Sequence, residues 1–168
     1  MNVNRKLKNL TITGIMAALI TLMTAYICHI PMGANGAYIH FGDALIYLAA
    51  AILPKPYALA AAAIGGGLAD LLTAPMWAPA TVIIKMLIVL PFTEKKPKIV
   101  VPRNVFAAVI GYLFTGVGYF LAEYVLFENP AVLWVSLSQN LVQSVGSAVL
   151  FVVFGLALDK VQAKTKFF

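Results

Sequence analysis

At 168 residues, 62% hydrophobic and only 11% charged, the chain departs far from soluble proteins, in which about a quarter of residues are charged. Its net charge of +6 and its lone cysteine, Cys28, exclude an internal disulfide framework and disfavour nucleic acid as a partner for so apolar a chain. A single lipid-embedded domain over residues 1–168, with anionic headgroups meeting its basic flanks, is the reading left.

The first helix, 7–30, carries an apolar run over 10–30 that follows Arg5, Lys6 and Lys8, and it stops at Pro31, which cannot continue a helical ladder. Its length suits a membrane span of about 20 residues rather than a signal core of about 7–15. Ala25-Tyr26-Ile27 before Cys28 lacks the small residue of a lipoprotein cleavage site, so Cys28 reads as a structural thiol. Residues 31–42 are turn-rich and long for a bundle connection, and long connections are usually functional. The next helix, 43–53, measures about 16 Å. It is too short to cross about 30 Å of hydrocarbon unaided, so the preceding loop must dip into protein or membrane space.

The third helix, 57–72, is built from Ala60 to Ala63 and Gly65 to Gly67, small residues that let membrane helices approach closely. The fourth, 79–90, opens on Pro79, a favoured first-turn residue, and ends at Pro91. A plain basic loop, Glu94 to Lys98, leads to the fifth and sixth helices, 104–126 and 131–158. Eleven of the twelve Lys and Arg then fall on one side of six crossings, and the connections 31–41, 73–80 and 127–131 carry none. Basic flanks stay in the cytoplasm. The fold class is therefore all-α, a polytopic six-transmembrane-helix bundle with both termini cytoplasmic.

The twelfth cation, Lys85, lies inside an apolar stretch. Rise along the helices puts Asp70 about 22 Å above Lys55 and Lys85 about 9 Å below Pro79, so both reach the outer half of the membrane. Asp43 opens the second helix there, and Asn140, Gln143 and Ser144 lie two to three turns into the sixth. An ionisable side chain at such a depth costs about 2.5–3.5 kcal/mol on insertion scales and marks a functional site by default. Lys85 could equally brace the bundle by pairing with Asp70 or Asp43, and Asp43 occupies an expected N-cap position. Trp77, before Pro79, suits either an interfacial belt or a stacking platform for a flat ring. Tyr47 and Tyr119 read as packing or belt residues, and Glu123 as an exposed outer-loop charge. His29 and His40 have no third ligand at metal spacing, so no metal or other cofactor is expected. No catalytic triad or phosphate-binding Gly-rich loop appears, and no enzymatic activity is expected.

Tyr38-Ile39-His40-Phe41-Gly42-Asp43-Ala44, then Gly65-x-Gly67-x-Ala69-Asp70-Leu71, then Pro79-Ala80-Thr81-x-x-x-Lys85 resemble the substrate-binding S components of energy-coupling factor (ECF) vitamin transporters, in the hydroxymethylpyrimidine and riboflavin branch. The resemblance implies a multi-pass protein of a bacterial or archaeal cytoplasmic membrane, with an outward-facing pocket closed by the loop after the first helix. It implies a substrate site drawn from Tyr38, His40, Asp43, Asp70, Trp77, Lys85, Asn140 and Gln143. It further implies a membrane coupling subunit and two ATP-binding subunits as partners. The small-residue surface that family members present to the coupling subunit is matched here by Gly14-x-x-x-Ala18, with Ala17 and Thr21 beside it. Two carboxylates, one ammonium and several amides suit a nitrogen heterocycle, whether hydroxymethylpyrimidine-like, pyridoxine-like or a deazaguanine queuosine precursor. A proton-coupled carrier using Asp70 and Lys85, or a noncatalytic membrane scaffold subunit, are the readings from other classes.

Overall fold

A computed structural model describes residues 3–27, 29–31, 38–128 and 133–167. Cys28 and most of the segment that follows it lie outside the described residues. The chain is all-α apart from one small hairpin. Helix α1, Val3–Leu22, continues into a π-helical turn, Met23–Ile27. Strands β1, Ile30–Pro31, and β2, Tyr38–Ile39, pair antiparallel with Ile30 opposite Ile39. Helices α2, Asp43–Ile52, and α3, Lys55–Thr73, follow, then a 3₁₀ turn, Pro75–Trp77, and α4, Ala78–Val89. Helices α5, Pro102–Phe127, and α6, Leu133–Lys160, are the longest, and a short α7, Ala163–Phe167, closes the chain.

Prolines set several boundaries. Pro56, Pro79 and Pro102 stand in the first turns of α3, α4 and α5, where the missing N–H breaks no intrahelical bond. Helix α1 starts four residues earlier than the expected start at 7 and gives way to the π turn well before Pro31. Basic residues are good helix formers, so the flank before the apolar run joins the helix. The hairpin and α7 are too short to leave a periodic pattern in the sequence.

Helix α2 is the axis of the bundle, touching α1, α3, α4, α5 and α6. Eight of its residues are buried, which its apolar composition anticipates. Near its first turns Tyr47 stacks on Phe92 at 5.1 Å and meets Phe151 edge-on at 6.0 Å. Such aromatic pairs add about 0.5–1.5 kcal/mol beyond the area they bury. Helix α3 fits closely between α1 and α4 because its buried residues, apart from Asp70, are all Ala or Gly. A Cβ at Gly65 would stand 2.7 Å from Ile20 of α1, and one at Gly66 would stand 2.9 Å from the stem of Lys85 on α4.

Among the described residues, four helical stretches are long and apolar enough to cross a membrane, Val3–Ile27, Lys55–Thr73, Pro102–Phe127 and Leu137–Lys160. Asp43–Ile52 and Pro75–Val89 are apolar but shorter, as the sequence indicates for α2. One face of α5 exposes Phe106, Val109, Leu113, Val117, Leu121 and Val125, each more than half exposed. Apolar side chains at this helical spacing are the surface a protein presents to lipid tails.

At the basic end the connections are tied down by three side chains. The Lys55 ammonium donates to the carbonyls of Val89, Leu90 and Phe92 at 3.0, 3.1 and 2.8 Å, satisfying the open C-terminus of α4. The Asn104 amide accepts from Thr93 N–H at 2.8 Å and donates to the carbonyls of Thr93 and Ile99 at 3.0 and 2.9 Å. The Asp159 carboxylate accepts from the N–H groups of Ile99 and Val100 at 2.7 and 2.9 Å. The connection between α4 and α5 is thus a fixed element rather than a plain loop.

Candidate functional site

The other end of α2 carries the polar cluster. Gly42 is the N-cap and makes no side-chain cap bond, so Asp43 is the first helical residue rather than the cap. Its carboxylate reaches sideways instead. Oδ1 lies 2.7 Å from Lys85 Nζ, and Oδ2 accepts a hydrogen bond from Gln143 Nε2 at 3.1 Å. The pair is sealed from solvent, at 0% and 1% exposure. Taking two charges out of water is tolerable only with close pairing and further hydrogen bonds, both of which are present here.

The amide of Gln143 extends the network. Its Oε1 accepts from the backbone N–H of His40 at 3.3 Å. His40 Nδ1 in turn accepts the N–H of Gly42 at 3.1 Å, with the Thr24 hydroxyl 3.5 Å away. An accepting Nδ1 places the ring proton on Nε2, which makes that nitrogen a donor. Thr24 belongs to the π turn at the end of α1, and such turns are frequent at functional sites. A Cβ at Gly42 would collide with the Thr24 side chain, so the close seating of the 40–42 segment on α1 depends on that glycine.

A second chain of contacts runs alongside. Asp70 of α3 accepts from the hydroxyl of Thr81, and that hydroxyl lies 2.9 Å from Tyr119 Oη. The Tyr119 ring carries Lys85 Nζ over its face at 5.3 Å from the centroid. A cation held over an aromatic face is attracted by the ring quadrupole. Trp77 meets Tyr119 edge-on at 6.2 Å and Phe127 at 6.1 Å. At 6% exposure Trp77 is an inward wall rather than a lipid-facing belt residue.

Lys85 therefore pairs with Asp43, while Asp70 takes Thr81. Six of the eight expected substrate residues fall within these two chains: His40, Asp43, Asp70, Trp77, Lys85 and Gln143. Asn140 is buried one turn before Ser144 on the same helix, and Ser144 bonds Thr115 of α5 at 3.1 Å. Tyr38 lies in β2, and its side chain is outside the described residues. Sequence reasoning missed Thr24, named Thr81 in a motif without giving it a site role, and set Tyr119 aside as a packing or belt residue. Thr81 was visible as the residue four before Lys85, on the same helical face. Glu123, read as an exposed charge, is instead a buried residue of α5, at 7% exposure. His29 is half-buried with Nδ1 3.2 Å from the Thr24 carbonyl, and Tyr47 packs in the core.

Chemically the cluster offers donors and acceptors in close order. Beyond Asp43 and the Tyr119 ring, Lys85 Nζ finds no hydrogen-bond acceptor among the described residues, although an ammonium carries three N–H groups. No group of three His, Cys, Asp or Glu capable of holding a metal occurs among the described residues. On α1, Gly14 and Ala18 are exposed, and a Cβ at Gly14 would meet nothing within 4 Å. Ala17 is buried and Thr21 turns inward, donating to the carbonyl of Gly65 at 3.0 Å.

Comparison with known proteins agrees with this architecture. No curated protein matches the sequence. Among solved structures, the S component for biotin from an ECF-type ABC transporter matches with a TM-score of 0.61 at 25% identity, over 99% of this chain and 97% of that one. A family model described as the ECF-type riboflavin transporter, S component, matches residues 4–160, so the chain belongs to the family of ECF transporter S components, which are transport proteins rather than catalysts.

Proposed function

We propose that the chain is the membrane-embedded substrate-binding subunit of an ECF-type importer and captures a nitrogen heterocycle in the cluster around Asp43, Asp70 and Lys85. The observation that carries this reading is a sealed Asp43–Lys85 pair whose ammonium keeps donor capacity, next to an aromatic wall of Trp77 and Tyr119. Buried polar groups of this kind hold orientation and specificity in ligand sites that are otherwise apolar. A ring edge with N–H donors suits Asp70, a ring carbonyl or hydroxyl suits Lys85, and the flat face suits Trp77. A hydroxymethylpyrimidine-like, pyridoxine-like or deazaguanine ring meets all three conditions. A strongly anionic ligand meets Asp43 and Asp70 unfavourably.

In this reading the bundle crosses a bacterial or archaeal cytoplasmic membrane six times, with both termini in the cytoplasm. Helices α2 and α4 complete their crossings with the segments that precede them. The site then opens outward beneath the segment between α1 and α2. A membrane coupling subunit and two ATP-binding subunits supply the energy, and the exposed Gly14 and Ala18 on α1 offer the small-residue surface for the coupling subunit. The related structure is named for biotin and the family for riboflavin, both carriers of nitrogen heterocycles, which supports the ligand class.

Native mass spectrometry of the detergent-purified chain tests the proposal. A small heterocycle retained through purification supports it and names the substrate. An empty protein that also binds no vitamin or nucleobase from a panel overturns it and favours a scaffold. Uptake by this chain alone, driven by a proton gradient, would instead make it a carrier.

A further inference from the structure

At the basic end, far along the chain from the substrate cluster, a cleft of about 600 Å³ opens between the start of α1, the turn after α2, the 94–97 segment and α7. Its walls include Arg5, Lys95, Lys96 and Lys164, with Glu94 as the one acid among the described residues that line it. Four cations drawn from three separate stretches of sequence repel one another across a shared space, and one carboxylate does not balance them. Lys164 is the fixed member, buried at 8% exposure and donating to the Ala51 carbonyl at 2.6 Å, where it closes the C-terminus of α2. Burial lowers its pKa, and the neighbouring Glu94 and Asp159 carboxylates raise it in opposition. Arg5, Lys95 and Lys96 are exposed, and among the described residues their side chains enter no hydrogen bond or ion pair of the fold, so their donors remain for an occupant.

A second groove, of about 510 Å³, lies along the same first turns of α1 and is lined by Asn4, Leu7, Lys8, Thr11 and Ile12, mostly apolar in surface. Leu7 and Leu10, at 64% and 59% exposure, begin the lipid-facing part of α1 at this level. A charged cleft and an apolar groove thus share the first turns of one helix, α1, which is long and apolar enough to cross a membrane. We infer that the cleft binds the phosphate of an anionic lipid, whose acyl chain follows the α1 groove. Basic pockets at the cytoplasmic ends of membrane helices take such headgroups, and three exposed cations around a diester phosphate supply charge-assisted hydrogen bonds. A soluble phosphate would satisfy the cations and leave the groove bare, so the lipid is the occupant that uses both features.

The test is delipidated, detergent-purified protein titrated with phosphatidylglycerol, with phosphatidylcholine of the same chains, or with inorganic phosphate, read by native mass spectrometry and thermal melting. The expected result is preferential retention of phosphatidylglycerol, weakened at least about tenfold in Arg5→Gln/Lys95→Gln/Lys96→Gln. The control Lys98→Gln/Lys160→Gln/Lys166→Gln removes the same charge from exposed positions outside the cleft and is expected to retain the lipid. Lys96→Glu alone serves as the milder variant if the triple substitution does not yield folded protein. Equal retention of the two lipids, equal loss in the control, or unchanged binding in both cleft variants overturns the site. Displacement of phosphatidylglycerol by millimolar inorganic phosphate overturns the lipid assignment in favour of a free anion.

Discussion

Asp43 and Lys85 join the first turn of α2 to the second turn of α4 through a 2.7 Å ion pair that solvent does not reach. Each charge is tolerated because the other is present, and Gln143 fixes the remaining carboxylate oxygen. Removal of one partner strands the other, which costs about 3–5 kcal/mol in buried pairs. Lys85→Met and Asp43→Asn are therefore expected to lower the melting temperature strongly as single substitutions. The double variant should recover much of the loss while binding no ligand. A double-mutant cycle on melting, run beside a binding assay, checks both halves, and additive losses would show that the pair is not a coupled unit.

The Asp70 chain is expected to behave differently. Asp70 accepts from Thr81, a neutral hydroxyl, and an Asn at this position keeps a side-chain oxygen that can accept the same hydrogen bond. We expect melting close to that of the parent and ligand affinity reduced at least about tenfold, the loss of one charge-assisted hydrogen bond. Thr81→Val, which cuts the link to both Asp70 and Tyr119, should produce a similar loss of affinity. Isothermal titration with the identified ligand decides this, and parental affinity in both variants would remove Asp70 from the site.

Much of this site was legible in the sequence for one physical reason. Ionisable and amide groups within apolar runs are costly, so Asp43, Asp70, Lys85 and Gln143 announced themselves by position alone. Their pairing did not follow, because helix rise gives depth but not which neighbouring helix a side chain faces. Lys85 thus stood equally close to Asp70 and Asp43 until the packing of α4 on α2 and α3 decided it. Tyr119 and Thr24 were invisible for the opposite reason, since an aromatic or a threonine in a membrane helix is ordinary. The crowded glycines of α3 were read correctly as packing, and the structure adds what they pack against: Ile20 on one side and the stem of Lys85 on the other.

Gly66 gives a test of that arrangement. A methyl group there would lie 2.9 Å from Lys85 Cγ and 3.3 Å from Thr81 Cγ2, close enough to push both side chains of the site. Gly66→Ala is expected to weaken ligand binding without removing any polar group, at a stability cost of about 1–3 kcal/mol for overpacking. Titration and melting of this single variant report the two effects separately. Unchanged affinity would mean that the lysine stem shifts without moving its ammonium.

Asn104 supplies the control far from the ligand. Its amide makes three hydrogen bonds that hold the connection between α4 and α5, and its side chain is fully buried at 0% exposure. Asn104→Ala leaves one N–H and two carbonyls to find other partners, at about 1–3 kcal/mol for each buried group that fails. The expected outcome is a clearly lowered melting temperature with ligand affinity unchanged once the protein is folded. The contrast with Asp70→Asn, where affinity falls and melting holds, separates the two ends of the bundle. Should Asn104→Ala weaken binding as much as Asp70→Asn does, the substrate site and the α4–α5 connection would have to be coupled through α4, the helix that carries Lys85 in its interior and meets Lys55 at its C-terminus.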